Sequence, residues 1–373
     1  MAEYRRAQPE ERETYIDFAN YVFGIDFEAL LPKVYGEGID SSSLHMAAVD
    51  EQGRMRALVA VLPELLQVGD NKLQTGYLGT VSVHPRARGE GHMKVLMNHW
   101  LETLRADSYD MIVLAGQRQR YEYFGFTVGG LKVKHTVTQT NIRHALKEAS
   151  PDGLSFCPLF EVDGAVSFAN KLNMARPAYV EREEQLLPLT LKTFRLNPIG
   201  VLEGGELIGY LLVNHEGNEI SEIAMEHQDD IVRTIKAYMV KRSVERVTIY
   251  SPEYDTALNR RLGEFAEDYA IETSDMYNIL DFANVLQAYL TLQHRTIGLV
   301  TGQFSAIMDG QPVTARVDEN GVTVERTAKS DAVILNKQQA QKLLLTQHSR
   351  YMEVGAPQGW FPLPLFWYKT DKF

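Results

Sequence analysis

Val81-Ser82-Val83-His84-Pro85-Arg86-Ala87-Arg88-Gly89-Glu90-Gly91 joins a β-branched run, a proline stop and a basic turn that contains two glycines. Val81 and Val83 alternate as in a strand, and Pro85 ends it. Downstream, Met93, Leu96, Met97, Trp100, Leu101 and Leu104 fall at helical spacing and predict an amphipathic helix with one face on a core. Gly89 and Gly91 remove side chains where the chain enters that helix, so backbone N–H groups can approach an anion closely. Arg86 and Arg88 add donors suited to phosphate oxygens. The stretch therefore specifies an anion cradle of strand, turn and helix, followed by another apolar strand, Met111–Leu114. No Gly-Lys-Ser/Thr follows, which excludes a Walker loop, and the third small residue of a dinucleotide fingerprint is missing.

Further along comes Arg120-Tyr121-Glu122-Tyr123-Phe124-Gly125-Phe126. Together the two segments resemble the acyl-CoA-binding core of the GNAT N-acetyltransferases. In that family an Arg/Gln-x-x-Gly-x-Gly/Ala turn holds the coenzyme A pyrophosphate, and a tyrosine ahead of a Gly-Phe pair protonates the leaving thiolate. The matching residues here are Arg88, Gly89 and Gly91 for the turn and Tyr121 for the acid. Met93 departs from the small residue usual at the last position of the motif, and in this it resembles the Eis-like ("enhanced intracellular survival") subgroup. That resemblance implies an α/β chain of two GNAT-like acyltransferase domains, the second degenerate, followed by a sterol-carrier-like α+β domain.

The resemblance also implies roles. Acetyl-CoA would be the cosubstrate, with the backbone near Val81 and Val83 orienting the pantetheine arm and Arg86 beside the pyrophosphate turn. Tyr121 would be the general acid, with Tyr123 the nearby alternative. The main-chain carboxylate of Phe373 would be the candidate general base. Asp26, Glu28 and Asp371 are candidates for an acidic acceptor pocket, a solvated surface being the alternative for any one of them. The acceptor would be a primary amine of an aminoglycoside or another polycationic small molecule. A protein lysine, or a CoA-binding or scaffold protein without efficient turnover, are the alternatives. Eis-like enzymes imply a homo-oligomer, a hexamer in that subgroup.

The chain of 373 residues is too long for one ordinary core. The segment 1–150 is expected to form the catalytic domain, 151–283 the degenerate repeat and 284–373 the C-terminal domain. In the repeat, the order of strand-like and helical segments recurs, from Glu206–Val213 through 231–241 to 276–280. Its junction reads Glu226-His227-Gln228-Asp229-Asp230, whose acids would repel a pyrophosphate. In the last segment, 285–290 and 337–346 read as helices, and 314–317 with 321–326 as a hairpin. The aromatic run 360–368 is too broken by proline for a membrane span and is expected to pack across domains or subunits, with lining a pocket as the alternative.

A formal charge of −11, from 49 acids against 38 Lys and Arg, disfavours a nucleic-acid partner and is compatible with a cationic substrate. No run approaches a membrane span and no secretory leader is read, so the cytoplasm is the expected compartment. Cys157 is the single cysteine, which excludes an intrachain disulfide and a thiolate metal cluster. No metal is expected, because His84 and His92 lack ligand spacing.

Overall fold

Residues 2–373 are described by a computed structural model. The apolar runs His45–Val49 and Met55–Val68 pair antiparallel across the turn at 50–53. Asn71–Val83 returns beside Met55–Val68. On its other edge it runs parallel to Met111–Leu114, with pairing confined to Thr75, Gly76 and Tyr77. Helix His92–Ala106 connects these two strands and buries Leu96, Met97, Trp100, Leu101 and Leu104, the stripe that its spacing predicts.

The same order recurs in a second sheet. Asn197–Glu203, Glu206–Val213 and Glu219–Met225 form an antiparallel ladder. Helix Asp230–Lys241 then leads to Arg246–Pro252, which pairs in parallel only through Glu219 and Ile220.

Each sheet is completed by a strand from the other half of the chain. Lys132–Thr138 leaves the first half and pairs with Arg246–Pro252 in the second sheet. Asp275–Ile279 crosses back and inserts between Met111–Leu114 and Thr127–Gly129 in the first. The sequence reading places 276–280 with the second unit, and here the structure corrects it. All five residues of Asp275–Ile279 are buried, and Met276, Tyr277 and Ile279 join the cores on the two faces of the first sheet. Alternation of apolar residues marks a strand and its faces but carries no information about which sheet receives it. A third crossing, Ala178–Val180, pairs with Met55–Val68. The segments 1–150 and 151–283 therefore do not coincide with the two sheets.

Helix Phe282–Thr296 opens the last unit and packs against both its sheet and the first sheet. The hairpin of Gln311–Asp318 and Gly321–Glu325 is flanked by Gly302–Met308, with Val333–Leu335 beyond it. Gly302–Met308 is missing from the sequence reading, although Phe304, Ala306 and Met308 alternate along it and are buried.

After helix Lys337–Leu345 the tail runs back over the first sheet. Trp360, Leu363, Leu365 and Trp367 are fully buried. Leu131 N–H donates to the Leu365 carbonyl (2.8 Å), and Leu363 N–H to the Leu344 carbonyl (2.7 Å). The tail then meets a buried ionic cluster. Arg182 donates from Nε and Nη2 to the two Asp371 oxygens (2.8 and 3.0 Å). From Nη1 and Nη2 it also reaches the two Glu222 oxygens (3.0 and 2.9 Å). Arg176 Nη2 and the Tyr210 hydroxyl complete the Glu222 carboxylate at 2.7 and 2.5 Å. Burial alone would raise the Glu222 carboxyl, but the two guanidiniums and Tyr210 hold it well below the usual range.

Replacing Arg182 by Leu leaves Glu222 and Asp371 buried and short of their partner. A loss of about 3–5 kcal/mol is expected, read as a lower denaturant midpoint. Glu64, buried beside Lys33 and Asp371 with Trp367 Nε1 donating to it (2.9 Å), titrates in the other direction. Burial, offset by the Lys33 ammonium, pushes its carboxyl from 4.5 up to about 8. The folded chain thus keeps a proton that the unfolded chain loses, so stability falls as pH rises across that window. In Glu64→Gln the fall should be shallower, measured as denaturant midpoints across the same pH range.

Candidate active site

Beyond Tyr77 the strand Asn71–Val83 parts from Met111–Leu114, so the edge from 78 to 83 faces that gap without a ladder partner. On the other edge the register slips between Leu58 and Ala60, opposite Thr80, whose φ is +49°. A β-branched residue in this region is strained by about 1–3 kcal/mol and needs its surroundings to hold it. Here a buried chain of hydrogen bonds does so. His45 Nδ1 donates to the Ser41 carbonyl (2.7 Å), and burial lowers the imidazole to about 4, so the ring is neutral. Its Nε2 must then accept, and the Tyr35 hydroxyl donates to it (2.9 Å). Tyr35 in turn accepts from the Thr80 hydroxyl (2.6 Å).

At the end of this strand a short turn, Pro85–Ala87, leads to Gly89 and Gly91, which have φ of +89° and +83°. A side chain at either would meet nothing within 4 Å, so the space above the turn is open. Gly91 caps helix His92–Ala106 without any side-chain acceptor. The first backbone bond into that helix is Val95 N–H to the Gly91 carbonyl (3.3 Å), so the N–H groups of residues 92–94 have no intrahelical partner. A cavity of about 750 Å³ lies over this end, with Val81, Val83, Arg88, Gly91, Arg120 and Tyr123 in its wall. Lys94 brings the cations there to three, and the wall holds no carboxylate. In a chain of net charge −11 this is a local positive site, and it fits the polyphosphate of a coenzyme A thioester.

The structure brings together Val81, Val83, Arg88, Gly89 and Gly91. Arg86 is exposed on the preceding turn, outside that wall. Arg120 and Lys94 are members that the sequence reading does not assign. The available signals were a cation directly before Tyr121 and another in the first turn after Gly91. Tyr121 is buried, its ring against Gly116 and edge-on to Phe126 at 6.3 Å. Its chain neighbours Arg120, Tyr123 and Phe124 form the wall. Burial raises the Tyr121 phenol above its ordinary value of 10, and among the described residues its hydroxyl has no hydrogen-bond partner. Tyr123 is 67% exposed beneath Lys94.

Phe373 is buried with its ring 6.2 Å from that of Tyr35. Its main-chain carbonyl lies directly over Gly79, where an added Cβ would fall 2.7 Å from the oxygen. The end of the tail thus meets the strand at the residue before the Thr80 distortion. The three acids read as an acceptor pocket are dispersed by their partners. Asp371 is held by Arg182, Glu28 pairs with Arg12 at 3.2 Å, and Asp26 accepts from Ala29 N–H to cap a short helix. In the repeat, Glu226 and Asp230 are paired with Lys171 and Arg233, both at 2.7 Å. Burial and Glu161 push the Cys157 thiol up, the reverse of an activated nucleophile. Among the described residues no group of three or more His, Cys, Asp or Glu is placed to hold a metal, and no helix is long and apolar enough to cross a membrane.

Residues 3–129 match the family described as "Acetyltransferase (GNAT) domain". A probable N-acyltransferase from Enterococcus faecalis superposes with a TM-score of 0.69 at 16% identity, over 95% of this chain and 93% of that one. A GCN5-related N-acetyltransferase from Anabaena variabilis gives 0.65 at 15% identity, over 91% and 88%. Eis1 from Mycobacterium abscessus gives 0.63 at 12% identity, over 95% and 94%. These likenesses concern the fold. No curated protein matches the chain.

Arg88→Ala and Arg120→Ala are each expected to weaken coenzyme A binding by about 1.5–3 kcal/mol, the range for a charge-assisted hydrogen bond. Calorimetric titration of folded variants checks this. Unchanged affinity in both would remove the cradle from these residues.

Proposed function

We propose that this chain, a GNAT-type acetyltransferase-like enzyme by its N-terminal domain, moves an acetyl group from acetyl-CoA directly to a primary amine. The observation that carries the reading is the free strand edge beyond Tyr77, bounded by a cationic, carboxylate-free cradle at one end and by Phe373 at the other. Arg88, Arg120, Lys94 and the open helix end would hold the phosphates, and the backbone from 78 to 83 would orient the pantetheine arm. When bound, acetyl-CoA supplies the thioester.

The residues of the chain then have distinct tasks. The amine must lose a proton as its nitrogen bonds to the acetyl carbon, and the carbon–sulfur bond breaks to release a thiolate. Tyr121 supplies the proton to sulfur, a role favoured by a phenol whose pKa burial raises and whose hydroxyl has no hydrogen-bond partner among the described residues. The Phe373 carboxylate takes the proton from nitrogen, a role favoured by its contact with Gly79. Of the acids considered for a polycationic acceptor, Asp371 is committed to Arg182, Glu28 pairs with Arg12 and Asp26 caps a short helix, so that class has little support among them.

Acetyl-CoA consumption with a panel of amines tests the reading. Saturable coenzyme A binding without acetylated product would favour a binding protein instead. Tyr121→Phe should lower kcat by roughly 10²–10⁴-fold with little change in acetyl-CoA affinity. Adding one glycine after Phe373 shifts the carboxylate off Gly79 and should also lower kcat. Full activity in that extended chain would exclude the terminal base.

A further inference from the structure

A second cavity, of about 330 Å³, lies where the tail passes between the two large sheets. Ala115, the residue after the strand Met111–Leu114, is in its wall, and the next residue, Gly116, packs directly on the Tyr121 ring. The wall also includes Lys372, the neighbour of Phe373. The wall of this cavity thus comes within one chain residue of Gly116, which touches the Tyr121 ring, and of Phe373.

Its chemistry differs from that of a polycation site. Lys132, Lys369 and Lys372 line it against a single carboxylate, Glu219. Each ammonium has one acidic partner: Lys369 with Glu219 at 3.0 Å, Lys132 with Glu272 at 3.2 Å, and Lys372 with Asp275 at 2.8 Å. Glu272 and Asp275 stand outside the wall. The lysine side chains keep 38%, 27% and 20% of their surface exposed, so donors remain for a ligand. The Tyr250 hydroxyl has no partner among the described residues. Phe194, Phe366 and Trp367 add flat apolar surface. Phe194 is held at a φ of +56° and Arg195 after it at +57°, a strained pair at the wall.

We infer that this cavity binds the acceptor, and that the acceptor is an amine that also carries a carboxylate and an apolar or aromatic portion, of amino-acid to dipeptide size. The carboxylate would meet Lys132 and Lys369 by charge-assisted hydrogen bonds, and the apolar part would lie on Phe194 and Phe366. The inference rests on the amine acetyltransferase reading for its use, but the site can be tested without turnover.

Matched pairs differing only in the carboxylate provide the probe: phenylalanine with phenethylamine, and tryptophan with tryptamine, with spermidine as the polycation. Calorimetric titration in the presence of coenzyme A should give at least tenfold tighter binding for the carboxylate member of at least one pair. Lys132→Gln and Lys369→Gln should each erase most of that difference. Acetyl transfer should show the same preference in kcat/KM, with the variants raising the KM for the acceptor and leaving that for acetyl-CoA unchanged. Equal or tighter binding by the decarboxylated members or spermidine, or a preference untouched by both substitutions, would overturn the site. Carboxylate-dependent binding without acetyl transfer would leave the site standing and remove the catalytic reading.

Discussion

A carboxylate buried as deeply as that of Asp371 needs a partner buried with it, and Arg182 is that partner. The guanidinium is itself held by Glu222 from the second sheet, and it follows a strand that pairs with the first. Three parts of the chain therefore meet in one charged knot. What that knot secures is direction. The last residues cannot slide without stranding a buried carboxylate, so Trp367, Lys369 and Lys372 stay in the wall of one cavity and Phe373 stays on Gly79. Apolar burial of Trp360, Leu363 and Leu365 supplies adhesion, but adhesion alone would tolerate a shift in register. The ionic contacts do not.

The same economy of charge separates the two halves. Both have an antiparallel ladder, a crossover helix and a parallel strand that pairs only briefly. In the first half the helix starts behind two left-handed glycines, beside cations that have no carboxylate partner among the described residues. In the second it starts behind acids already neutralised by Lys171, Arg233 and Arg261. One topology thus presents a cationic or a charge-neutralised surface, depending on a handful of residues at a single junction.

The strand, the turn and the helix entrance were legible in the sequence because their physics is local: β-branched alternation, a proline and two glycines all lie within one short stretch, whereas Arg86, read with them, stands outside the cavity wall. The buried stripe from Leu96 to Leu104 was legible for the same reason. What could not be read depends on pairings between distant residues. Nothing in Asp275–Ile279 says that its neighbours will be Met111–Leu114 and Thr127–Gly129. Nothing around Arg182 announces Asp371, and so that aspartate reads as an acid free to meet a substrate. Arg120 stood beside the motif tyrosine, yet its face could not be known before the turn around it was seen.

The exchange of Lys132–Thr138 for Asp275–Ile279 has a consequence for how the chain comes into being. As it emerges from the ribosome, the first half has the cradle, the helix and most of a sheet, but a slot between Met111–Leu114 and Thr127–Gly129 stays open until Asp275–Ile279 has been synthesised. Meanwhile Lys132–Thr138 is already made and has no partner until Arg246–Pro252 appears. Unpaired edges of this kind invite association with other chains. The nascent protein must carry them through the synthesis of its entire second half. Neither half of the repeat owns a complete sheet, so neither can be inherited, transplanted or expressed as a finished module without the other.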